Sequence, residues 1–291
     1  MLPLRAMDQT PVLYEVADAI ATITLNRPEN RNSMTPDLMS AFRDAVARAA
    51  ADPALRCVVI TGRGASFCAG ADFRNATPLA ERPATPHAER PETERSEVGE
   101  RARGERSEPD YERLFRTYEP FLEVFDLPMP TIAAMNGHAV GGGFGLALVC
   151  DLRVANRDAK YGANFAKLGF HSGMAISHLL PRIVGVPIAA EMLFTGKLVD
   201  GARAAAIGLA HEAVAAEEVL ATAMHRARAV AACAPEAVRL LKRSLYDGAG
   251  WDPRSAARAE AFAQAATMRT DDAREGIRAL LEKRAPRFSG T

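Results

Sequence analysis

The 291-residue chain contains no apolar run of about eighteen residues, so nothing in it reads as a membrane span. Neither sign of charge is in excess. Thirty-six Lys and Arg balance 36 Asp and Glu, which argues against the basic field that nucleic acid or an anionic membrane surface would require. Cysteine is scarce: Cys57, Cys68, Cys150 and Cys233 form no C-x-x-C pair, and Cys57, Cys68 and Cys150 have apolar neighbours. A disulfide framework is excluded, and reduced, packed thiols in a cytoplasmic protein are the expectation. His87, His178, His211 and His225 share no metal-ligand spacing, so no metal site is expected. The opening Met1-Leu2-Pro3-Leu4-Arg5-Ala6-Met7 is too short and polar for a signal sequence and reads as a loose tail.

What is present is ordinary globular material, 48% apolar and 25% charged. Thr35-Pro36 reads as an N-cap followed by an N1 proline, and Leu38, Phe42, Val46 and Ala49 then share one helical face. Short apolar strands alternate with helices up to about residue 215. From Glu217 onward the chain is rich in Ala, Leu and Arg, with helical periodicity and no strand. The expected organisation is an α/β core over residues 1–215 and a helical region over 216–291. Between Asn75 and Asp110, Pro, Glu, Arg and Ser dominate. That composition buries too little surface to offset its ordering entropy, so residues 75–115 read as a charged insertion, a mobile loop or a solvated helix.

The most informative stretch is Asn136-Gly137-His138-Ala139-Val140-Gly141-Gly142-Gly143-Phe144-Gly145. It follows Thr131-Ile132-Ala133-Ala134-Met135, which reads as a buried strand, and runs into the helix-prone Leu146-Ala147-Leu148-Val149. Three glycines therefore sit where a strand gives way to a helix. Free N–H groups at a helix start attract negative charge, and glycine lets a ligand approach the main chain. A phosphate-cradling P-loop would need Lys and Ser or Thr after the last glycine, where Phe144 and Gly145 stand instead. No register of Gly141 to Gly145 supplies the dinucleotide pattern G-x-G-x-x-G. Two readings remain on this segment alone: close helix–strand packing, or an oxyanion site.

A second segment favours the oxyanion site. Cys57-Val58-Val59-Ile60-Thr61-Gly62 reads as a strand ending at a glycine, and Gly64 to Phe73 as a tight loop after it. Two strand-end loops without bulky side chains can each present one N–H to the same oxygen, which is the geometry of an oxyanion hole.

These two segments, V-V-I-T-G-x-G-x-x-F-C-A-G-A-D and A-x-N-G-x-A-x-G-G-G, resemble the signatures of the enoyl-CoA hydratase/isomerase (crotonase) superfamily. The resemblance extends over nearly the whole chain, through Ile23-Thr24-Leu25-Asn26-Arg27-Pro28, Cys150-Asp151-Leu152-Arg153, Leu179 to Gly185 and Glu282-Lys283-Arg284. It implies a spiral of strand–strand–helix turns followed by a helical region that forms a homotrimer or a dimer of trimers. It implies an acyl-CoA thioester as substrate, with coenzyme A arriving as part of that substrate and no permanently bound cofactor. The N–H groups of Ala71 and Gly142 would stabilise a thioester enolate or oxyanion, while Ala69, Asp72, Phe73 and Arg74 would line the thioester and pantetheine channel. Asp72 can equally cap its own turn. Arg27 and Arg31 would lie near the adenine and ribose phosphate, and Lys283, with Leu280 one turn earlier, would reach the nucleotide from a neighbouring subunit. Residues 75–115 would border the acyl pocket, either as a lid or as an inert insertion.

The chain departs from the family at the acids and bases. Hydratases carry one glutamate on the oxyanion helix and a second about twenty residues later, where this chain has Gly145 and Phe165. A third location, aspartate in some isomerases and dehalogenases, corresponds to Gly173. None of these moves a proton, and acid–base help contributes about a hundred- to ten-thousand-fold, so ordinary hydration should be slow or absent. His171 is the nearest substitute, since imidazole titrates near neutrality. His138 reads as structural. Glu119, Glu123 and Asp126 either reach the acyl pocket or form a solvated helix face. Phe144, Phe165 and Phe170 suggest an apolar, shortened pocket. Two functions stay open: an acyl-CoA lyase, isomerase, decarboxylase or hydrolase with another acid–base group, or an acyl-CoA binding protein without catalysis.

Overall fold

The computed structural model describes residues 10–71 and 110–291. Asp72, Phe73, Arg74 and residues 75–109 lie outside the described residues, and with them the channel and most of the lid expectation. The strands are β1 (Val12–Ala17), β2 (Ile20–Leu25), β3 (Cys57–Gly62), β4 (Ser66–Cys68) and β5 (Thr131–Met135). They continue with β6 (His138–Val140), β7 (Leu152–Asn156), β8 (Lys160–Gly162), β9 (Val199–Asp200) and β10 (Glu212–Val214). The helices are α1 (Pro36–Ala51), α2 (Asp110–Leu122), α3 (Gly142–Val149), α4 (Ile176–Val184) and α5 (Val186–Thr195). Then come α6 (Gly201–Ala206), α7 (Val219–Ala231), α8 (Pro235–Asp247), α9 (Pro253–Thr267) and α10 (Asp271–Glu282).

Among the described residues one sheet has six strands in the order β1-β2-β3-β5-β7-β10, and a second has four in the order β4-β6-β8-β9. Of these described pairs, β1 with β2 and β8 with β9 run antiparallel and the others parallel. The chain alternates between the sheets, β3 then β4, β5 then β6, β7 then β8, which is the strand–strand–helix spiral. Central parallel strands are covered on both faces, and β3 shows it: Val58 and Ile60 point into the main core while Cys57 and Val59 face α7. In α1, Leu38, Met39, Phe42, Ala45, Val46 and Ala49 are buried, at the spacing of one helical face.

Two local expectations are corrected. The segment after β3 is not all loop, because Ser66–Cys68 forms β4 beside β6. The glycines do not follow β5 directly, because β6 intervenes. Both strands are three residues long, too short for a period-two pattern to register. Thr35 occupies the N-cap position of α1 but does not cap through its side chain; its hydroxyl donates to the Asp37 carboxylate instead.

The three cysteines read as packed are buried, and Cys233 is exposed. Burial pushes the Cys57, Cys68 and Cys150 thiols up to about 12, which makes them inert. No described helix is long and apolar enough to cross a membrane.

A buried ionic network ties α8 to the start of β5. The Asp151 carboxylate accepts from Thr131 N at 2.6 Å, Thr131 Oγ1 at 2.9 Å and the Tyr246 hydroxyl at 2.6 Å. Lys242 Nζ lies 3.0 Å from it and also donates to the Met129 carbonyl at 3.1 Å. Burial and then the Asp151 charge raise the Tyr246 pKa, which keeps that hydroxyl a donor. Removing one member of such a pair strands the other, a loss of about 3–5 kcal/mol. Lys242→Met should therefore lower the urea midpoint by that much free energy. A double Lys242→Met/Asp151→Asn variant should recover part of the loss.

Candidate active site

Two loops at the ends of β3 and β5 meet, and asparagines lace them together. Asn136 Oδ1 accepts the Gly62 N–H at 3.0 Å, and its Nδ2 donates to the Gly64 carbonyl at 2.8 Å. Asn156 Nδ2 in turn holds the Asn136 carbonyl at 2.9 Å. Asn32, fully buried, donates from Nδ2 to Ser66 O at 2.8 Å and lies within 3.1 and 3.2 Å of Arg63 O and Phe67 O. Its Oδ1 accepts the Arg27 N–H at 2.8 Å. The backbone of this third loop joins in: Ala69 N donates to Arg31 O at 3.1 Å, and Met34 N to Gly70 O at 2.8 Å, so that Met34 and Ala71 form a parallel bridge.

The result is backbone against backbone. A methyl built on Gly70 would stand 2.7 Å from Val140 O and 2.9 Å from Gly142 N. One on Gly143 would stand 2.0 Å from the Cys68 carbonyl oxygen, and one on Gly142 would stand 2.3 Å from Met34 Sδ. Gly141 caps α3 at φ +58, a conformation that other residues rarely adopt. The glycine run is therefore required both for packing and for bringing the two loops into contact.

Gly142 is the first residue of α3, so its N–H has no partner within the helix. Ala71 uses its bridge to Met34 without its own N–H. Among the described residues neither amide has an acceptor. The expected pair, Ala71 and Gly142, thus stands as two unpaired donors joined through Gly70. Ala69, half-buried, spends its N–H on Arg31 and shapes the loop. The other end of α3 is closed by Arg153, buried, whose guanidinium lies 2.5 Å from Cys150 O, 3.4 Å from Ala147 O and 2.7 Å from Leu209 O.

The three positions without carboxylates are filled by apolar groups. A methyl on Gly145 would stand 2.4 Å from Met174 Cβ, so Met174, buried and held at φ +59, fills the space a side chain there would need. Phe165 lies across the helix cap, its Cζ 3.5 Å from a methyl built on Gly141, and meets Phe170 edge-on with centroids 5.5 Å apart. A methyl on Gly173 would stand 3.3 Å from Tyr118 Cε1. Phe144, expected at the pocket, is instead buried in the main core.

His171 is exposed, with Nδ1 2.6 Å from the Ser172 carbonyl. His138 is structural, accepting the Lys160 N–H at 2.9 Å. Glu119 and Glu123 pair with Arg43 of α1 at 2.9 and 3.0 Å, which engages both carboxylates. Arg27 pairs with Asp37 at 3.4 Å, Arg31 is exposed at φ +60, and Lys283 ends α10 at φ +55. Met34, Asn32, Tyr118 and Met174 were not singled out from sequence. Asn32 stands in a polar run between Arg31 and Ser33 that gives no sign of its burial, and Met174 and Tyr118 carry no signal either.

A sequence model described as "Enoyl-CoA hydratase/isomerase" matches residues 15–93 and 96–291. A putative enoyl-CoA hydratase of Thermus thermophilus is 36% identical over 269 residues, 92% of this chain and 97% of that protein. The (E)-benzylidenesuccinyl-CoA hydratase of Thauera aromatica is 31% identical over 285 residues, 96% of this chain and 99% of that one. The crystal structure of an enoyl-CoA hydratase from Bacillus anthracis superposes with a TM-score of 0.81 at 28% identity, covering 97% of this chain and all of the other (100%).

The collision at position 145 gives a test. Overpacking a core typically costs about 1–3 kcal/mol. Gly145→Glu should lower stability by at least that much in chemical denaturation, and adding Met174→Ala should restore most of it.

Proposed function

The chain belongs to the enoyl-CoA hydratase/isomerase family, and from that premise we propose that it acts on an acyl-CoA thioester through the amides of Ala71 and Gly142, by chemistry that does not use the paired hydratase glutamates. The observation that carries this reading is two amides without acceptors among the described residues, on loops that meet at Gly70, beside three positions without carboxylates. Negative charge on a thioester oxygen, as enolate or tetrahedral oxyanion, would gather both N–H groups at the positive end of α3. Losing one such donor typically costs about 3 kcal/mol of barrier. The candidate steps are decarboxylation, hydrolysis, retro-aldol cleavage or double-bond shift. Simple hydration is disfavoured, because Met174 and Phe165 stand where carboxylates would hold water.

Coenzyme A would enter only as part of the substrate. Arg27, Arg31 and Lys283 supply cations among the described residues for its phosphates. The buried, inert thiols suit a reducing compartment such as the cytoplasm. Phe262, Leu280 and Leu281 are 81%, 77% and 78% exposed in the single chain, which supports burial between copies in a homotrimer or dimer of trimers. Light scattering should give a mass three or six times that of the chain; a monomer would remove this part of the reading.

The activity itself is tested with a panel of enoyl-, β-keto- and malonyl-type CoA thioesters, following acyl species and free CoA by mass spectrometry. Product should form from at least one, and Gly142→Pro in a Met34→Ala background, which deletes the N–H at the helix start and makes room where Met34 Sδ would meet the new ring, should slow it by about a hundredfold or more relative to Met34→Ala alone. Binding without product would identify an acyl-CoA binding protein instead.

A further inference from the structure

Resting on the acyl-CoA reading above, we propose that the Tyr118 hydroxyl is the proton donor to the enolate carbon in place of the missing carboxylates. At position 145 the space is taken by Met174, and at position 165 an aromatic ring lies over the helix cap. At position 173 there is no side chain, and the space beside it is occupied by the Tyr118 ring, whose Cε1 and Cζ approach a methyl built there to 3.3 and 3.7 Å. Tyr118 therefore brings its phenol end to the location from which a carboxylate would otherwise start.

Tyr118 is half-buried on α2, which packs on both α1 and α3. Its ring lies beside Gly173 and meets Phe115 edge-on at 5.8 Å. Among the described residues its hydroxyl has no hydrogen-bond partner. The nearby carboxylates show the contrast, since Glu119, next to Tyr118, and Glu123, just past the end of α2, turn to Arg43. His171, the alternative acid, is exposed and has Nδ1 against the Ser172 carbonyl at 2.6 Å. A half-buried phenol with a free proton, walled by Phe115 and Gly173, is the group best placed to act.

The step balances without a further reactant. Once bond cleavage at the β-position has left its electron pair in the thioester enolate, the oxyanion is held by Ala71 and Gly142. The enolate then reverts to the thioester as its carbon takes the phenolic proton, forming a C–H bond and breaking the O–H bond. The phenolate recovers its proton from water. General acid help of this kind contributes about a hundred- to ten-thousand-fold.

The test compares wild type, Tyr118→Phe, His171→Asn, Met34→Ala and Met34→Ala/Gly142→Pro on the thioester that the wild type turns over. Tyr118→Phe keeps the ring and removes only the oxygen. It should lower kcat by about a hundredfold or more, with KM within a few fold and the melting temperature unchanged. In D2O the wild type should deliver deuterium to one face of the α-carbon, and Tyr118→Phe should give both faces. Retained kcat and facial selectivity in Tyr118→Phe, with loss in His171→Asn, overturn the proposal and leave the oxyanion reading standing. If Met34→Ala/Gly142→Pro is as active as Met34→Ala alone, the oxyanion reading itself falls. Thioesters that bind with no turnover by the wild type overturn both.

Discussion

Everything at this site depends on two loops of main chain lying in van der Waals contact, closer than any side chain would permit. Gly70, Gly142 and Gly143 allow the approach, and Asn32 and Asn136 hold it by taking up the carbonyls and amides that the approach leaves buried. A buried backbone group without a partner costs roughly 1–3 kcal/mol. The asparagines therefore make the loop junction affordable, and they do so selectively. Gly62 N, Gly64 O, Ser66 O and Phe67 O are satisfied, whereas the Ala71 and Gly142 amides are left without acceptors among the described residues. The fold satisfies its neighbours and leaves these two donors open.

The helix behind Gly142 strengthens that arrangement. α3 is buried along its whole length, so its partial charges are poorly screened, and the Arg153 guanidinium lies against the carbonyls at its C-terminal end. A cation there stabilises the helix dipole while leaving the positive end free for an anion. With Met174 and Phe165 in place of carboxylates, the surroundings of the two amides also lack competing negative charge at these positions. A low-dielectric setting raises the worth of each N–H, and it equally raises the cost of any charge that the amides do not meet.

How much of this was legible in the sequence follows from the range over which each signal acts. The central strands and α1 were visible because long periodic segments carry their own pattern, as in Cys57–Gly62 and the Leu38, Phe42, Val46 face. The glycine run and its two amides were visible because their spacing in the chain is itself the feature. β4 and β6 were not, since three residues of strand are defined by their partners. The contents of the pocket were least legible. The absence of carboxylates at 145 and 173 could be read directly, but what fills the space comes, at 145, from Met174, twenty-nine positions on, and, at 173, from Tyr118 on another helix.

A missing carboxylate is a statement about one position, and taken alone it suggests a loss of function. In three dimensions the vacated volume has been refilled, at position 145 with a thioether side chain held at φ +59, a conformation that costs of order 1 kcal/mol in a non-glycine residue. Met174 and Ala175 adopt it consecutively, and Met174 is buried against α3. Filling a void with an apolar group needs no strained backbone where a relaxed loop would serve. The strain is offset by the packing of Met174 on Gly145, so the apolar lining is built into the loop conformation and is not a passive consequence of losing an acid.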